Sequence, residues 1–226
     1  MRLADGYFLR PMSGRFPVKV NGQWREAEIS FASEREVKWL AYWRIPKPLP
    51  ADPVLVQKIY DAVEFARLAC NRWRYYHRQQ LTVRSAEDLE RVVHAHPTTE
   101  VAMVLIVRPV WDSPIPTLGI AHLRRTWCNH LFLEFLALHP QVLLRRQEQV
   151  SSVGSAMLHQ IVALADQINA PCIWGEATEG SHQWYEERLA VQEVRDHFFI
   201  EEDVLEHCLN EMRRAQQEML ARRGTS

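Results

Sequence analysis

The chain has 226 residues, 47% apolar and 24% charged, with a net charge of −1. That is enough apolar material for one large domain, or a domain with a substantial extension. No apolar run approaches the roughly 18–20 residues of a membrane span, and the strongest, Val101 to Val107, has strand length. Met1 to Gly6 lack the apolar core of a secretory signal, so a cytoplasmic location is expected and membrane association is not.

The four cysteines, Cys70, Cys128, Cys172 and Cys208, are far apart and form no Cys-x-x-Cys pair. They read as reduced, packed thiols, and no metal is expected. His94 and His96 fit a solvated helix end before Pro97 better than a ligand pair. Residues 1–82 carry 14 Lys/Arg against 8 Asp/Glu, and residues 83–226 carry 13 against 20. A moderately basic first half could meet an anionic partner or face the acidic half of its own chain; the asymmetry is too small to predict nucleic-acid binding.

In chain order, Val18 to Trp24 predicts a β-hairpin turned at Asn21-Gly22, two residues suited to a type I′ turn. Its second arm, to Phe31, places Arg25, Ala27, Ile29 and Phe31 on one face. Ser33 with Glu36 is a capping box that opens a short helix to about Arg44. Pro46, Pro48 and Pro50 alternate, which favours an extended connector. Asp52-Pro53 then restarts a helix to about Gln80, with Leu55, Val56, Ile59, Ala62, Val63, Ala66 and Ala69 as its apolar stripe. A further helix spans about Ala86 to His94, capped by Ser85 with Asp88 at the third position. Beyond Pro97 the pattern turns to strands: Val101 to Val107, Thr117 to Trp127 and Asn129 to Leu138, the last two split by a tight turn near Cys128. A helix from Val153 to Ile168, a strand from Cys172 to Ala177 and a helix from Ser181 to Leu189 follow. One or two short strands lie between Val191 and Ile200, and a long helix from Val204 to Arg223 ends at Gly224.

Two stretches carry chemistry. The first joins Leu131-Phe-Leu-Glu-Phe-Leu-Ala-Leu-His-Pro140 to Gln149-Val-Ser-Ser-Val-Gly154-Ser-Ala-Met-Leu158: a strand, a loop, then a helix opening on small residues. Small residues let backbone approach a ligand, and a helix N-terminus offers free N–H groups to an anion such as a pyrophosphate. A Ser-rich cap packed on a sheet is the alternative. The second stretch is Arg67, Arg72, Trp73, Arg74, Tyr75, Tyr76, His77 and Arg78. It could stack on nucleobases or hold an anionic acceptor, or simply end a helix in positive charge with its aromatics inward.

The first stretch resembles the acyl-CoA-binding motif of the GNAT superfamily of acetyltransferases, Gln/Arg-x-x-Gly-x-Gly/Ala at a helix start after a Leu-Ala-Val-His-Pro-like strand end. Here it reads Gln149-Val-Ser-Ser152-Val-Gly154, with Ser152 in place of the first glycine. Trp174-Gly-Glu-Ala-Thr178 followed by Trp184-Tyr185-Glu186-Glu187 is similar to the family's next strand and its Tyr-bearing helix. Residues 97–200 carry the resemblance. Pro140 and Gln149 lie nine positions apart, so residues 141–148 read as an inserted loop. Thr178 stands where the family usually has Asn, and the usual Gly-Phe after the helix is absent.

The resemblance implies an α/β (α+β) fold: a GNAT-like central mixed sheet flanked by helices, with an N-terminal hairpin and helical extension. Residues 1–96 would form that extension or complete the same domain, and 97–226 the acyl-CoA-binding core. It implies an N-acyltransferase that moves an acetyl or other acyl group from CoA to an amine by direct attack, with acetyl-CoA as co-substrate. The cofactor contacts implied are Leu136, Ala137, Leu138, Gln149, Ser151, Ser152, Val153, Gly154, Ser155 and Thr178. Glu134, an acid amid Leu131 to Leu136, is the candidate base, against a solvent-facing strand glutamate; Glu176 is a second candidate. Tyr185 matches the position of the general acid, against a core aromatic whose hydroxyl reaches water. The acceptor is a small-molecule or peptide amine, and a homodimer is compatible with the sequence. The alternative is a non-catalytic GNAT-like module binding acyl-CoA or a protein partner. A nucleic-acid-associated role for the Arg67–Arg78 cluster is a third reading.

Overall fold

A computed structural model of the chain describes residues 14–145, 148–189, 191, 193–201, 203–210, 214 and 217. The first hairpin is present as β1 (Gly14–Val20) and β2 (Gln23–Phe31), joined by Asn21 and Gly22 at φ 50° and 81°. Both central residues of a type I′ turn need positive φ, which Asn and Gly accept at least cost. Along β2 Ala27 and Ile29 are buried while Arg25 is exposed. α1 (Glu34–Leu40) opens on the complete capping box of Ser33 and Glu36. It ends four residues short of the expected Arg44, because Ala41 and Tyr42 turn out of the helix and tuck Trp43 into the core beside Val37 and Leu40.

α2 (Pro53–Arg78) has Asp52 as N-cap and buries Ile59, Ala62, Ala66, Ala69, Cys70, Trp73 and Tyr76 along one side. Small residues in the middle of that stripe let the helix lie close to the sheet. α3 (Ala86–Ala95) is capped by Ser85. β3 (Val101–Pro109), β4 (Gly119–Arg125) and β5 (Leu131–Leu138) form an antiparallel meander, with Asn129 left-handed in the turn between the last two.

The stretch read as an inserted loop begins as a helix, α4 (Pro140–Leu144), because Pro140 suits a first helical turn and His139 caps it. β6 (Val150–Ser151), two residues too short to show any period, was not legible in the sequence. α5 (Val153–Gln167), β7 (Ile173–Glu176) and α6 (His182–Leu189) follow the expected order. Among the described residues between 191 and 200, only β8 (His197–Ile200) is a strand, and the Val194 N–H ahead of it is instead held by Glu186 Oε1 at 2.9 Å. Residues 203–210 form α7; the remainder of that expected helix, through Arg223, lies outside the described residues except 214 and 217.

The eight strands make one mixed sheet in the order β6-β1-β2-β3-β4-β5-β7-β8, so the hairpin belongs to the same sheet as the rest. The central mixed sheet flanked by helices expected from the sequence is present. α1 and α2 cover one face over Val104, Ile106, Ile120 and Ala137. The larger core lies on the other face, where α5 and α6 pack Val153, Met157, Ile161, Tyr185 and Leu189 against Leu105, Leu131, Ile173 and Phe198. Burying each large aliphatic side chain contributes on the order of 1.5–3 kcal/mol, so this core fixes the strand positions from which the site is built.

Candidate functional site

β5 runs parallel to β7 for three pairs only, Leu131 with Ile173, Phe132 with Trp174 and Leu133 with Gly175. Beyond Leu133 the β7-facing edge of β5 has no strand partner among the described residues, so the sheet is open along that edge. The cause lies in the β4–β5 register: His122 pairs with Phe135 but Leu123 with Leu133, which leaves Glu134 as an extra residue. A β-bulge bends the strand that carries it. Gly175 marks the last close approach, since a Cβ there would stand 2.8 Å from the Leu133 carbonyl oxygen. The proposed cofactor strand residues Leu136, Ala137 and Leu138 therefore lie along this free edge.

α5 begins beside this opening. The run-in is tied to the hairpin: the Gln149 N–H donates to Asn21 Oδ1 at 2.9 Å, the Asn21 N–H donates to the Gln149 carbonyl at 3.1 Å, and Val150 and Ser151 pair with Val20 and Lys19. Ser152, the N-cap, sits at φ 70° and makes no side-chain cap. The left-handed conformation explains why a glycine suits this position in the motif, and it costs a serine on the order of 1 kcal/mol or more. No acidic residue lies in the first turn. The N–H groups of Val153, Gly154 and Ser155 are thus left for a ligand or solvent. Gly154 faces Trp184 of α6, whose ring lies 3.3 Å from a Cβ built there. Its smallness suits the close packing of α5 on α6.

Glu134 is neither solvent-facing nor free. Its side chain is 5% exposed and lies 2.7 Å from Arg124 Nε through Oε1 and 3.0 Å from His122 Nδ1 through Oε2. Burial opposes its ionisation, but His122 and Arg124 outweigh burial and hold the carboxyl below its usual range. His122 is fully buried, and its Nε2 has no hydrogen-bond partner among the described residues. Arg124 also reaches the Tyr76 hydroxyl, which accepts from Nη1 at 3.2 Å, and Glu100. His122 and Arg124 were missed in the sequence. Part of their signal was available: His122 and Arg124, spaced by two, share one face of their strand, although nothing local pairs that face with Glu134.

Tyr185 lies in the opposite core, its ring stacked on Phe198 at 4.1 Å and edge-on to Trp184 at 4.9 Å. Burial pushes its hydroxyl pKa well up, so it keeps its proton more tightly than a free tyrosine. Glu134 and Tyr185 thus approach the split sheet from its two faces. Thr178 closes the turn before α6: its N–H donates to Ser181 Oγ at 2.8 Å. Glu176, at the end of β7, is exposed. His139, where β5 ends, accepts from the Gln141 N–H through Nδ1, and burial lowers its pKa to about 4.

Among the described residues no three His, Cys, Asp or Glu side chains gather as a metal site, and no helix is long and apolar enough to cross a membrane.

No family model matches this chain, and no curated protein matches it in sequence. Solved structures of GNAT acetyltransferases are similar to it in fold at low identity. One is an acetyltransferase of the GNAT family from Staphylococcus aureus Mu50, 11% identical, the match covering 76% of this chain and 97% of that one with a TM-score of 0.42. Another is a spermidine N-acetyltransferase chimera from Vibrio cholerae and hSSAT, 9% identical over 81% and 98% of the two chains, TM-score 0.41. Nourseothricin acetyltransferase is 15% identical over 38% of this chain, TM-score 0.31, and the match spans 48% of that enzyme's length.

Proposed function

We propose that this protein is an N-acyltransferase of the GNAT type that moves an acetyl group, or another acyl group, from CoA to an amine. The observation that supports it best is one juxtaposition: the uncapped start of α5 stands beside the arm of β5 that has left β7. The free N–H groups at Val153, Gly154 and Ser155, with Gln149, Ser151 and Ser152 before them, suit a pyrophosphate. The open edge along Leu136, Ala137 and Leu138 suits an extended amide chain, which pairs with a strand edge as another strand would. Thr178 flanks the opposite arm. No metal is needed for the step.

In the reaction the amine nitrogen attacks the thioester carbonyl, the N–C bond forms, the C–S bond breaks and the sulfur takes a proton. Glu134, kept ionised by His122 and Arg124, accepts the proton that the amine loses, directly or through one water. Tyr185, whose proton burial holds more tightly than usual, passes that proton to the departing sulfur and regains one from solvent as Glu134 releases the proton taken from the amine. Backbone N–H groups of the open β5 edge polarise the carbonyl. The acceptor is a small-molecule or peptide amine, and a cytoplasmic location would supply the acyl-CoA.

A second reading has an observation of its own. The Glu134 carboxylate is already engaged by Arg124 and lies 3.0 Å from His122 Nδ1, and Tyr185 is held in the core. Both facts suit a non-catalytic module that binds acyl-CoA or a protein partner. Release of free CoA thiol with an amine panel, beside calorimetry with acetyl-CoA, separates the two. Thiol release that depends on an amine supports the enzyme; binding with no release across the panel supports the module. Absence of binding at millimolar acetyl-CoA sinks both.

A further inference from the structure

His122 is fully buried on β4, where it shares a face with Ile120 and Arg124. Ile120 belongs to the core under α2, so that face looks towards α2. His122 pairs with Val104 of β3 on one side and with Phe135 of β5 on the other. The bulge at Glu134 lets this one histidine meet two consecutive residues of β5. Its ring centre lies 5.9 Å from that of Phe135, and its Nδ1 lies 3.0 Å from Glu134 Oε2. The two atoms are close but not aligned as a hydrogen bond. Among the described residues, His122 Nδ1, His122 Nε2 and Glu134 Oε2 are the buried side-chain polar atoms without a hydrogen-bond partner, and all belong to this pair. Folded proteins keep few such atoms, so a cluster of them calls for a functional explanation.

The two carboxylate oxygens are used differently. Oε1 accepts from Arg124 Nε at 2.7 Å, and Oε2 is left to His122. Glu134 has 5% of its side chain exposed and His122 none, so a proton enters the pair through Glu134. Glu134 alone holds such a proton poorly. Burial favours its neutral form, but His122 and Arg124 outweigh burial and keep the carboxyl below its usual range. A general base works best when its proton affinity matches the working pH. Imidazole is the side chain that ordinarily exchanges a proton between about pH 5 and 8. The other charged or titratable groups that face the pair are Arg124 beside it on β4 and Arg72 of α2, whose charge is felt at Glu134. Arg124 in turn reaches Tyr76 and Glu100.

We propose that His122 is the proton-holding partner of Glu134, so that the two residues act as one base. The proposal rests on the acyltransferase reading and adds a positioning residue to it, since His122 acts through Glu134 and not on the substrate. In the resting pair Glu134 is a carboxylate and His122 a neutral imidazole with its lone pair on Nδ1. As the N–C bond forms, the proton lost by the amine passes to Glu134 and from there to Nδ1. The carboxylate is restored and the imidazole becomes an imidazolium. A small turn of either group aligns the 3.0 Å contact for this transfer. The imidazolium then donates from Nδ1 to Oε2, a charge-assisted bond that holds the proton inside the pair. It returns the proton to solvent once the product has left.

The test measures release of CoA thiol, with an amine that the unmodified chain accepts, for the full chain and for His122→Asn and Glu134→Gln, singly and together. Asparagine places an amide near the position of Nδ1 but cannot take up a proton. His122→Asn should lower kcat about 100-fold near neutral pH, the low end for an acid–base group, and leave acetyl-CoA affinity nearly unchanged. Raising the pH should recover part of that loss, because more of the amine is then already neutral. The double variant should be within about threefold of the slower single one, as for residues that act as a unit. A loss below roughly tenfold in His122→Asn overturns the proposal. So do losses that multiply in the double variant, or a loss equal at every pH, the mark of a merely structural role. Nitrogen-15 NMR of the His122 ring in the unmodified chain decides the question if the variant does not fold. The ring should gain a proton over the pH interval in which turnover falls on the acid side; a ring that keeps one protonation state across that interval overturns the assignment. Acetyl-CoA titrated into the unmodified chain keeps the two failures apart. Binding and turnover that do not depend on His122 remove only the pair, whereas no binding, or binding without thiol release, removes the acyltransferase reading and the pair with it.

Discussion

The first five helix starts of this molecule fall into two kinds. α1, α2, α3 and α4 each have a side chain that accepts from a first-turn N–H: Ser33, Asp52, Ser85 and His139. α5 has none, although Ser151 and Ser152 precede it, for Ser152 is left-handed and makes no side-chain cap. A cap is worth about 1 kcal/mol. Four starts are built for stability, and the fifth leaves that stabilisation unused beside the one place where the sheet splits. Serine content alone does not make a cap; the backbone angle at the N-cap decides whether the N–H groups are closed or left open.

The sharpest way to break this contrast is to put a negative charge at the open start of α5. Ser152→Asp puts a carboxylate where the anion is proposed to sit, and aspartate tolerates positive φ better than most residues. Acetyl-CoA affinity should fall by roughly 100-fold or more while the thermal midpoint holds, since the charge suits the helix dipole even without a side-chain cap. Binding that survives intact would place the phosphates elsewhere.

A capped start responds to pH where its cap titrates. Burial lowers the folded pKa of His139 to about 4 from the ordinary histidine value of 6.5. Its neutral form is the one the fold holds, so its contribution is complete above pH 6.5 and is lost as pH falls from 6.5 towards 4. That loss should be about 1–3 kcal/mol, read from denaturant midpoints across the window. His139→Asn keeps a capping oxygen and removes the titration, and should flatten the profile; an equally steep variant would assign the loss to another group.

Ser85→Ala should cost about 1 kcal/mol of stability by urea unfolding and leave acetyl-CoA affinity unchanged, because α3 lies outside the site. Ser152→Gly should give the smallest change, a gain of about 0.5–1 kcal/mol from relieving the left-handed serine, with acetyl-CoA binding retained. A loss of stability there would mean that the serine hydroxyl makes a contact that glycine cannot replace.

Much of the scaffold was legible in the sequence because it is written in local chemistry. Asn21-Gly22 forced the hairpin turn, Ser33 with Glu36 the first helix, and Asp52-Pro53 the second. The apolar run from Val101 fixed the central strand. The split that makes the site was not legible, since it depends on one extra residue in a register between two strands, and Glu134 looks the same in sequence whether bulged or not. The partners of Glu134 were hidden for a related reason: His122 and Arg124 come from the neighbouring strand, and only the pairing brings them to the carboxylate. The small size of Gly154 was read as room for a ligand. Its neighbour is Trp184, 30 positions further along the chain, which no local pattern announces.

The central claim is that the open start of α5 and the free arm of β5 together hold an acyl-CoA. Calorimetric titration of acetyl-CoA into the unmodified full chain, paired with its thermal midpoint at saturating ligand, tests this most directly. The account predicts one-site binding and a midpoint that rises with ligand concentration, as it must when ligand binds only the native state. No heat of binding and an unmoved midpoint at millimolar acetyl-CoA would contradict it.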